Sequence, residues 1–314
     1  MPSTVSSSPA GRTDLFVGTL AAVAAFVLWG VLPLYWAQIA TVPAIEIIWH
    51  RLLWGGVLAW VVVFAHRFGR FRPFGQVRRE GVALLPGVRT TALLFANGMV
   101  LGTNWVIYVW AVSSGRTLDA SLGYYINPLV NVLFGMVFFR ERLRPLQWVA
   151  VAFAVAGVIF MSLQIGTTPW VSLAIAGSFG LYGVVKKKTV LSSIHSLSVE
   201  LLPFMVIAAM MIARGVLIND GHFLAGDRRT TAFLLGSSVV TVAPLLLFGI
   251  ATRRIRLADV GFLQYIAPTL MFLIAVTVFG DPIYPGRLAG FILVWTGLAI
   301  YTSSNIAARR GRKR

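Results

Sequence analysis

Two prolines set deep in apolar runs are the first residues with chemical potential. Pro128 and Pro268 each interrupt a stretch long enough to cross a bilayer core of roughly 30 Å. Proline has no N–H, so the carbonyl four residues earlier loses its helical partner. Those carbonyls belong to Tyr124 and Gln264. In hydrocarbon a free carbonyl must be met by protein, water or ligand. Tyr125, Asn127, Gln264 and Tyr265 add polar side chains at the same depth, about 15 Å along a helix at 1.5 Å per residue. Two readings stand, a substrate cavity lined by both segments or a kink that only packs. Occurrence in both halves with polar neighbours favours the cavity.

A second constellation is Asn97, Asn104 and Tyr108, spaced so that they share one helical face, with Trp105 beside them. The stripe could line a pathway or tie helices together. Gly98 and Gly102 form a small-xxx-small pair that admits a neighbouring helix closely. Glu46, His50 and Arg51 open another apolar run. Glu46 and His50 are i, i+4 neighbours that could share a proton. Arg51 lies about one and a half turns inside, where a charge costs roughly 2.5–3.5 kcal/mol on insertion scales. These three are coupling or gating candidates, with the proton as candidate coupling ion; snorkelling of Arg51 and a structural pair with Glu46 is the alternative. Trp29, Pro33 and Trp36 offer further aromatic lining or an interfacial belt. Glu200, just before Pro203, reads as a solvated interfacial carboxylate, and His66, His195 and His222 as loop residues in solvent.

Several patterns are absent. No Walker A sequence supports ATP hydrolysis, no ligand cluster supports a metal, and no Ser or His arrangement resembles a nucleophile with its base. No catalytic residue, metal or cofactor is expected. With no cysteine there is no thiol chemistry.

The elements that must position these residues follow from hydropathy. Of 314 residues, 58% are hydrophobic and only 12% charged, with mean hydropathy +0.82, whereas soluble domains are about one quarter charged. The apolar residues fall into ten runs, 15–37, 45–65, 91–112, 118–139, 146–163, 170–185, 199–218, 232–251, 257–279 and 284–301. The expected fold is an all-α membrane protein of ten transmembrane helices. Segment 116–158 recurs without a gap as 256–298, with Arg116/Arg256, Asp119/Asp259, Tyr125/Tyr265, Ile126/Ile266, Pro128/Pro268, Pro145/Pro285 and Gly157/Gly297 identical. This gives two five-helix repeats, 15–163 and 168–306, between a disordered tail (1–14) and a basic tail (307–314). An odd number of spans inverts the second copy, and paired broken segments in inverted repeats point to a transporter's substrate site.

The net charge of +17 and a pI near 11.4 raise nucleic acid as a partner, but the charge is distributed by side. With the N-terminus cytoplasmic, 21 Lys and Arg fall inside and four outside, with Arg51 and Arg287 in or at the ends of spans. That is the positive-inside bias and an attraction to anionic lipid; no nucleic-acid partner is expected. The basic 66–89 segment reads as an anchor on the cytoplasmic membrane surface.

Leu122-Gly-Tyr-Tyr-Ile-Asn-Pro-Leu-Val-Asn131, Gly102-Thr-Asn-Trp105 with Trp110-Ala-Val, Glu46 with His50-Arg51, and Gly261-Phe-Leu-Gln-Tyr-Ile-Ala-Pro-Thr-Leu-Met-Phe-Leu273 resemble the RarD proteins of the EamA branch of the drug/metabolite transporter superfamily. The resemblance covers nearly the whole chain. It implies a ten-helix inverted-repeat permease of the bacterial inner membrane, both termini cytoplasmic, exporting an amino acid, drug-like compound or other small metabolite. Ala267 and Asp281 stand where that pattern more often has Gly and Glu. The rivals are an intramembrane enzyme on a lipid-linked substrate and a non-transporting scaffold or sensor.

The charge asymmetry predicts labelling of single cysteines from outside at Thr41 and Thr168, and only after permeabilisation at Gln76 and Lys187. Labelling of Gln76→Cys in intact cells would refute this topology.

Overall fold

The structure, a computed structural model, describes residues 12–67, 85–165, 169–225, 227–282 and 285–311. All regular structure among them is helical: α1 (Arg12–Trp36), α2 (Ala44–Arg67), α3 (Val88–Ser113), α4 (Thr117–Phe139), α5 (Pro145–Ile165), α6 (Trp170–Lys188), α7 (Ser193–Leu217), α8 (Arg228–Arg254), α9 (Leu257–Gln264), α10 (Ile266–Thr277) and α11 (Pro285–Gly311), with a 3₁₀ turn at Ala37–Ile39. Nine stretches of the described residues, α9 and α10 counting as one, are long and apolar enough to cross a membrane. The tenth, α6, is 19 residues long and ends in three lysines.

Helix bounds differ from the hydropathy runs where polar residues sit inside helices. α1 starts at Arg12, within the expected tail, and α11 continues to Gly311. α7 starts at Ser193, capped by Ser192 through the His195 N–H, six residues before its apolar run. Tail residues 1–11 and 312–314, most of the 66–89 segment, Gln76 and Thr168 lie outside the described residues.

The ninth run divides at Tyr265, whereas α4 passes through Pro128 without interruption. The prolines are equivalent, so a neighbour makes the difference. The Tyr265 carbonyl accepts from both the backbone N–H and the hydroxyl of Thr269 (3.2 and 2.7 Å), and such back-bonding bends helices. The matching residue in α4 is Leu129, which has no hydroxyl.

α4 packs against α6 and α9, α5 along α11, α2 against α7 and α8, α1 against α8, α9 and α10, and α3 against α6 and α7. One apolar core, including Phe26, Leu197 and Phe248, joins α1, α2, α7 and α8. A second, including Ala150, Phe262 and Tyr301, joins α4, α5, α9 and α11. Outer faces are apolar as well: Phe16 and Leu163 are largely exposed. A lipid-immersed bundle does not gain from burying such groups, so small residues and interhelical hydrogen bonds must hold it together.

Glycines supply the close contacts. A Cβ on Gly157 would stand 2.8 Å from the Gly290 carbonyl oxygen, and one on Gly297 would stand 2.7 Å from that of Ala150, both across the α5–α11 seam. Gly98 of α3 lies directly against the backbone of Glu200 in α7. Replacing Gly98 with Ala should force α3 from α7 and cost about 1–3 kcal/mol, the usual range for overpacking. Thermal unfolding should show a clear drop for Gly98→Ala and little change for Gly87→Ala, where an added Cβ meets nothing within 4 Å.

Candidate functional site

The proline-bearing helices meet through their polar residues. Tyr265 Oη donates to the Tyr125 carbonyl at 3.2 Å. Asn131 Nδ2 donates to Asn127 Oδ1 (3.1 Å) and to Gln264 Oε1 (2.8 Å), and Asn127 Nδ2 reaches the Ala176 carbonyl of α6 at 3.5 Å. Tyr125, Asn127, Pro128, Gln264, Tyr265 and Pro268 are all buried. In this conformation their polar groups are satisfied largely by one another, while Asn131 Oδ1 is buried with no partner. The α4–α9 contact is thus a polar joint within an apolar bundle, where a lost bond has no water to replace it.

The α3 stripe divides. Asn97 donates to Glu200 Oε1 of α7 at 3.1 Å, and Asn104 donates to the Ile175 carbonyl and Ser178 Oγ of α6 at 2.8 and 2.9 Å. Both tie helices together. Tyr108 instead packs edge-on against Tyr124, ring centroids 5.8 Å apart, and Trp105 faces Arg51 at 4.8 Å. Arg51 also donates from Nε to Thr241 Oγ1 of α8 at 3.0 Å and lies 5.4 Å from the Trp36 ring.

Glu46 and His50 do not bond each other. Glu46 accepts from the His222 backbone N–H (2.7 Å) and faces its ring nitrogen at 2.9 Å. His50 Nδ1 accepts from Trp54 Nε1 at 2.9 Å, which leaves the ring proton on Nε2. Glu46 and His50 line a cavity of about 250 Å³ between α2 and α7, with Trp49, Arg214, Asp220 and Phe223.

Glu200 corrects the sequence reading. It is fully buried in a 2.9 Å ion pair with Lys186 of α6, and not solvated at an interface. The early start of α7 puts it two turns in, about 10 Å along the axis. Tyr182 Oη donates to Glu200 Oε2 (3.2 Å), and Lys186 Nζ donates to Ser196 Oγ (2.7 Å). His195 is likewise buried in the first turn of α7, whereas His222 does lie in the α7–α8 loop, partly exposed and engaged by Glu46. His66 falls in the last turn of α2.

Around this pair, the helix ends rich in Lys and Arg interlock. Glu141 accepts from the Leu257 and Ala258 N–H groups at the start of α9 (2.8 and 2.9 Å) and pairs with Lys187 at 3.2 Å. A carboxylate at a helix N-terminus meets both the orphan donors and the dipole. Arg256 and Asp259 pair at 2.8 Å. Burial works against the Arg256 charge, but the hydrogen bonds and charge of Asp259 hold its guanidinium above the ordinary value. Tyr301 and Asn305 of α11 also donate to Asp259, at 2.7 and 3.2 Å. Arg253 reaches the Leu191 carbonyl and, at 2.5 Å, Ser193 Oγ. At the opposite end the matching pair Arg116–Asp119 closes at 2.7 Å.

Sequence reasoning passed over Asn131, Lys186, Glu141 and Thr241. Lys186 and Glu141 were concealed among basic clusters that read as topology. The usable signal was scarcity: each of only ten acidic residues in so apolar a chain needs a partner.

Nine apolar spans among the described residues, with buried polar and ionic groups between them, are the architecture of a multi-pass membrane protein. The EamA-like transporter family model matches residues 16–163. The uncharacterized transporter YojE of Bacillus subtilis is 40% identical over 94% of this chain and 97% of its own. Protein RarD of Escherichia coli is 34% identical over 93% and 96%. The chloramphenicol-sensitive protein RarD of Pseudomonas aeruginosa is 29% identical over 94% and 96%. A crystal structure 18% identical in sequence shares the fold, with TM-score 0.69 over 92% of this chain and 98% of that one. The chain belongs to the EamA-like transporter family, as a RarD-like permease.

Leaving either member of the Lys186–Glu200 pair alone should cost about 3–5 kcal/mol, since one uncompensated charge remains buried. Glu200→Leu and Lys186→Met should each lower the unfolding temperature sharply, and the double variant should recover most of the loss.

Proposed function

We propose that this chain is a secondary transporter that exports a small metabolite, amino acid or drug-like compound by alternating access, its two five-helix halves acting as inverted repeats. One observation carries the reading: the helix packing maps onto itself when the halves are exchanged. Under a shift of five spans the α4–α6 contact corresponds to that of α9 and α10 with α1, α1–α8 to α6–α3, and α2–α8 to α7–α3, while α2–α7, α4–α9 and α5–α11 correspond to themselves. The ion pairs Arg116–Asp119 and Arg256–Asp259 and the seam glycines Gly157 and Gly297 obey the same shift. Such symmetry allows one set of contacts to build both an inward and an outward gate.

In this reading Tyr125, Asn127, Pro128, Gln264, Tyr265 and Pro268 form the joint about which the halves rock, and bind cargo when it opens. Asn97, Asn104, Trp105 and Tyr108 line the path or brace it. Glu46, His50 and Arg51 serve coupling or gating, with the proton as coupling ion. The positive-inside bias puts the end bearing Lys186–Lys188 and Arg253–Arg256 in the cytoplasm, with both termini there, in the inner membrane. The interlocked ion pairs at that end then correspond to a closed cytoplasmic gate.

The test is flux of labelled metabolites in proteoliposomes; no flux of any substrate would refute it. Pro128→Ala and Pro268→Ala each restore a helical hydrogen bond and can stabilise the isolated helix by up to about 3 kcal/mol. Both variants should fold with near-parental thermal stability and transport poorly, with accessibility of the two mouths shifted in opposite directions. Parental flux in both would make the prolines packing features only.

A further inference from the structure

Arg51 differs from the interior cations that face an acid, and from Arg253, whose guanidinium is taken up by the Gly249 and Leu191 carbonyls and Ser193 Oγ. Lys186 faces Glu200, Lys187 faces Glu141, Arg116 faces Asp119 and Arg256 faces Asp259. Arg51 has no carboxylate partner among the described residues. The remaining described acids are occupied or remote: Glu46 is held by His222 and Asp227 caps α8, Asp14 is near Arg254, and Asp220 and Asp281 are exposed. Among the described residues Arg51 is met by Thr241 Oγ1 and the faces of Trp36 and Trp105. The phenols of Tyr108 and Tyr124 lie within electrostatic range.

The surroundings are not sealed. Tyr124 is 37% exposed, and Arg51, Trp36, Trp105 and Tyr108 are half-buried. These residues form a partly accessible aromatic cluster around the guanidinium. One hydroxyl takes Nε, so the two terminal nitrogens of the guanidinium, the pair that grips a carboxylate in bidentate fashion, have no acceptor among the described residues.

We infer that this cluster binds a small organic anion, a carboxylate with an apolar or aromatic body, anchored on Arg51 and flanked by Trp36, Trp105, Tyr108 and Tyr124. The inference rests on the transporter reading only in taking this anion as cargo. The absence of an acid near Arg51 among the described residues disfavours a zwitterion, whose ammonium group would need a carboxylate partner. The aromatic walls favour an apolar body over a strongly hydrated inorganic ion.

The experiment is thermal unfolding of the purified full-length protein titrated with benzoate, phenylacetate and indole-3-acetate, each against its amide and against sodium chloride at equal ionic strength. At least one carboxylate should raise the unfolding temperature while its amide and chloride do not. Arg51→Gln should bind that carboxylate at least tenfold more weakly, and Arg51→Lys should fall between. Without ligand, Arg51→Gln should be at least as stable as the parent, because it removes an uncompensated charge. No shift from any carboxylate, an equal shift from the amide or chloride, or parental binding by Arg51→Gln overturns the anion site. Anion binding without flux leaves this site standing and sinks the transport reading. Flux confined to neutral or cationic metabolites and indifferent to Arg51→Gln does the reverse.

Discussion

A charge inside a low-dielectric bundle must face its opposite. That requirement organises this protein more than any apolar contact does. Lipid removes the usual hydrophobic drive between helices, and the outer faces here are as apolar as the cores. Specific partners therefore come from the few polar groups. Lys186 must find Glu200, which registers α6 against α7. Glu141 must find Lys187 and the first N–H groups of α9, which joins the α4–α5 turn, α6 and α9. Asp259 gathers Arg256, Tyr301 and Asn305, which fixes α9 against α11.

The interactions are distributed unequally along the bundle. Toward the basic end the carboxylates and cations pair with one another across α6, α7, α9 and the α4–α5 turn. Toward the other end, Arg51 stands among aromatic rings with no acid among the described residues. Cation–π contacts are worth about 0.5–2 kcal/mol each, against an insertion cost of roughly 2.5–3.5 kcal/mol. Two tryptophans and one hydroxyl thus offset part of that cost without neutralising the charge. Between the two ends lies the α4–α9 joint, where Asn127, Asn131 and Gln264 exchange hydrogen bonds around two prolines.

How the two prolines behave shows where local pattern ends. Pro128 and Pro268 are equivalent by position, and both disrupt one backbone bond. Only the second lies beside a visible break, at Tyr265, whose carbonyl accepts a Thr269 hydroxyl that Leu129 cannot supply to its counterpart. Gly98 shows the opposite case. Its spacing with Gly102 anticipated a close neighbour, and the backbone of Glu200 lies there.

Most of the architecture was legible in the residue order, because a bilayer imposes length and apolarity locally, one span at a time. The apolar runs follow from that rule, nine of them long and apolar enough to span among the described residues, as does the need of Arg51, Asn97 and Asn104 for partners, since polar residues at that depth are costly wherever they occur. Pairing was not legible. Glu200 read as solvated because the first turn of α7 is polar, and only its contact with α6 made it an interior group. Lys186 and Glu141 read as topology signals because a charge count cannot see the chain 14 or 46 residues away. The solitude of Arg51 is likewise a tertiary fact: it depends on where all the carboxylates go, and that is decided only when the helices pack.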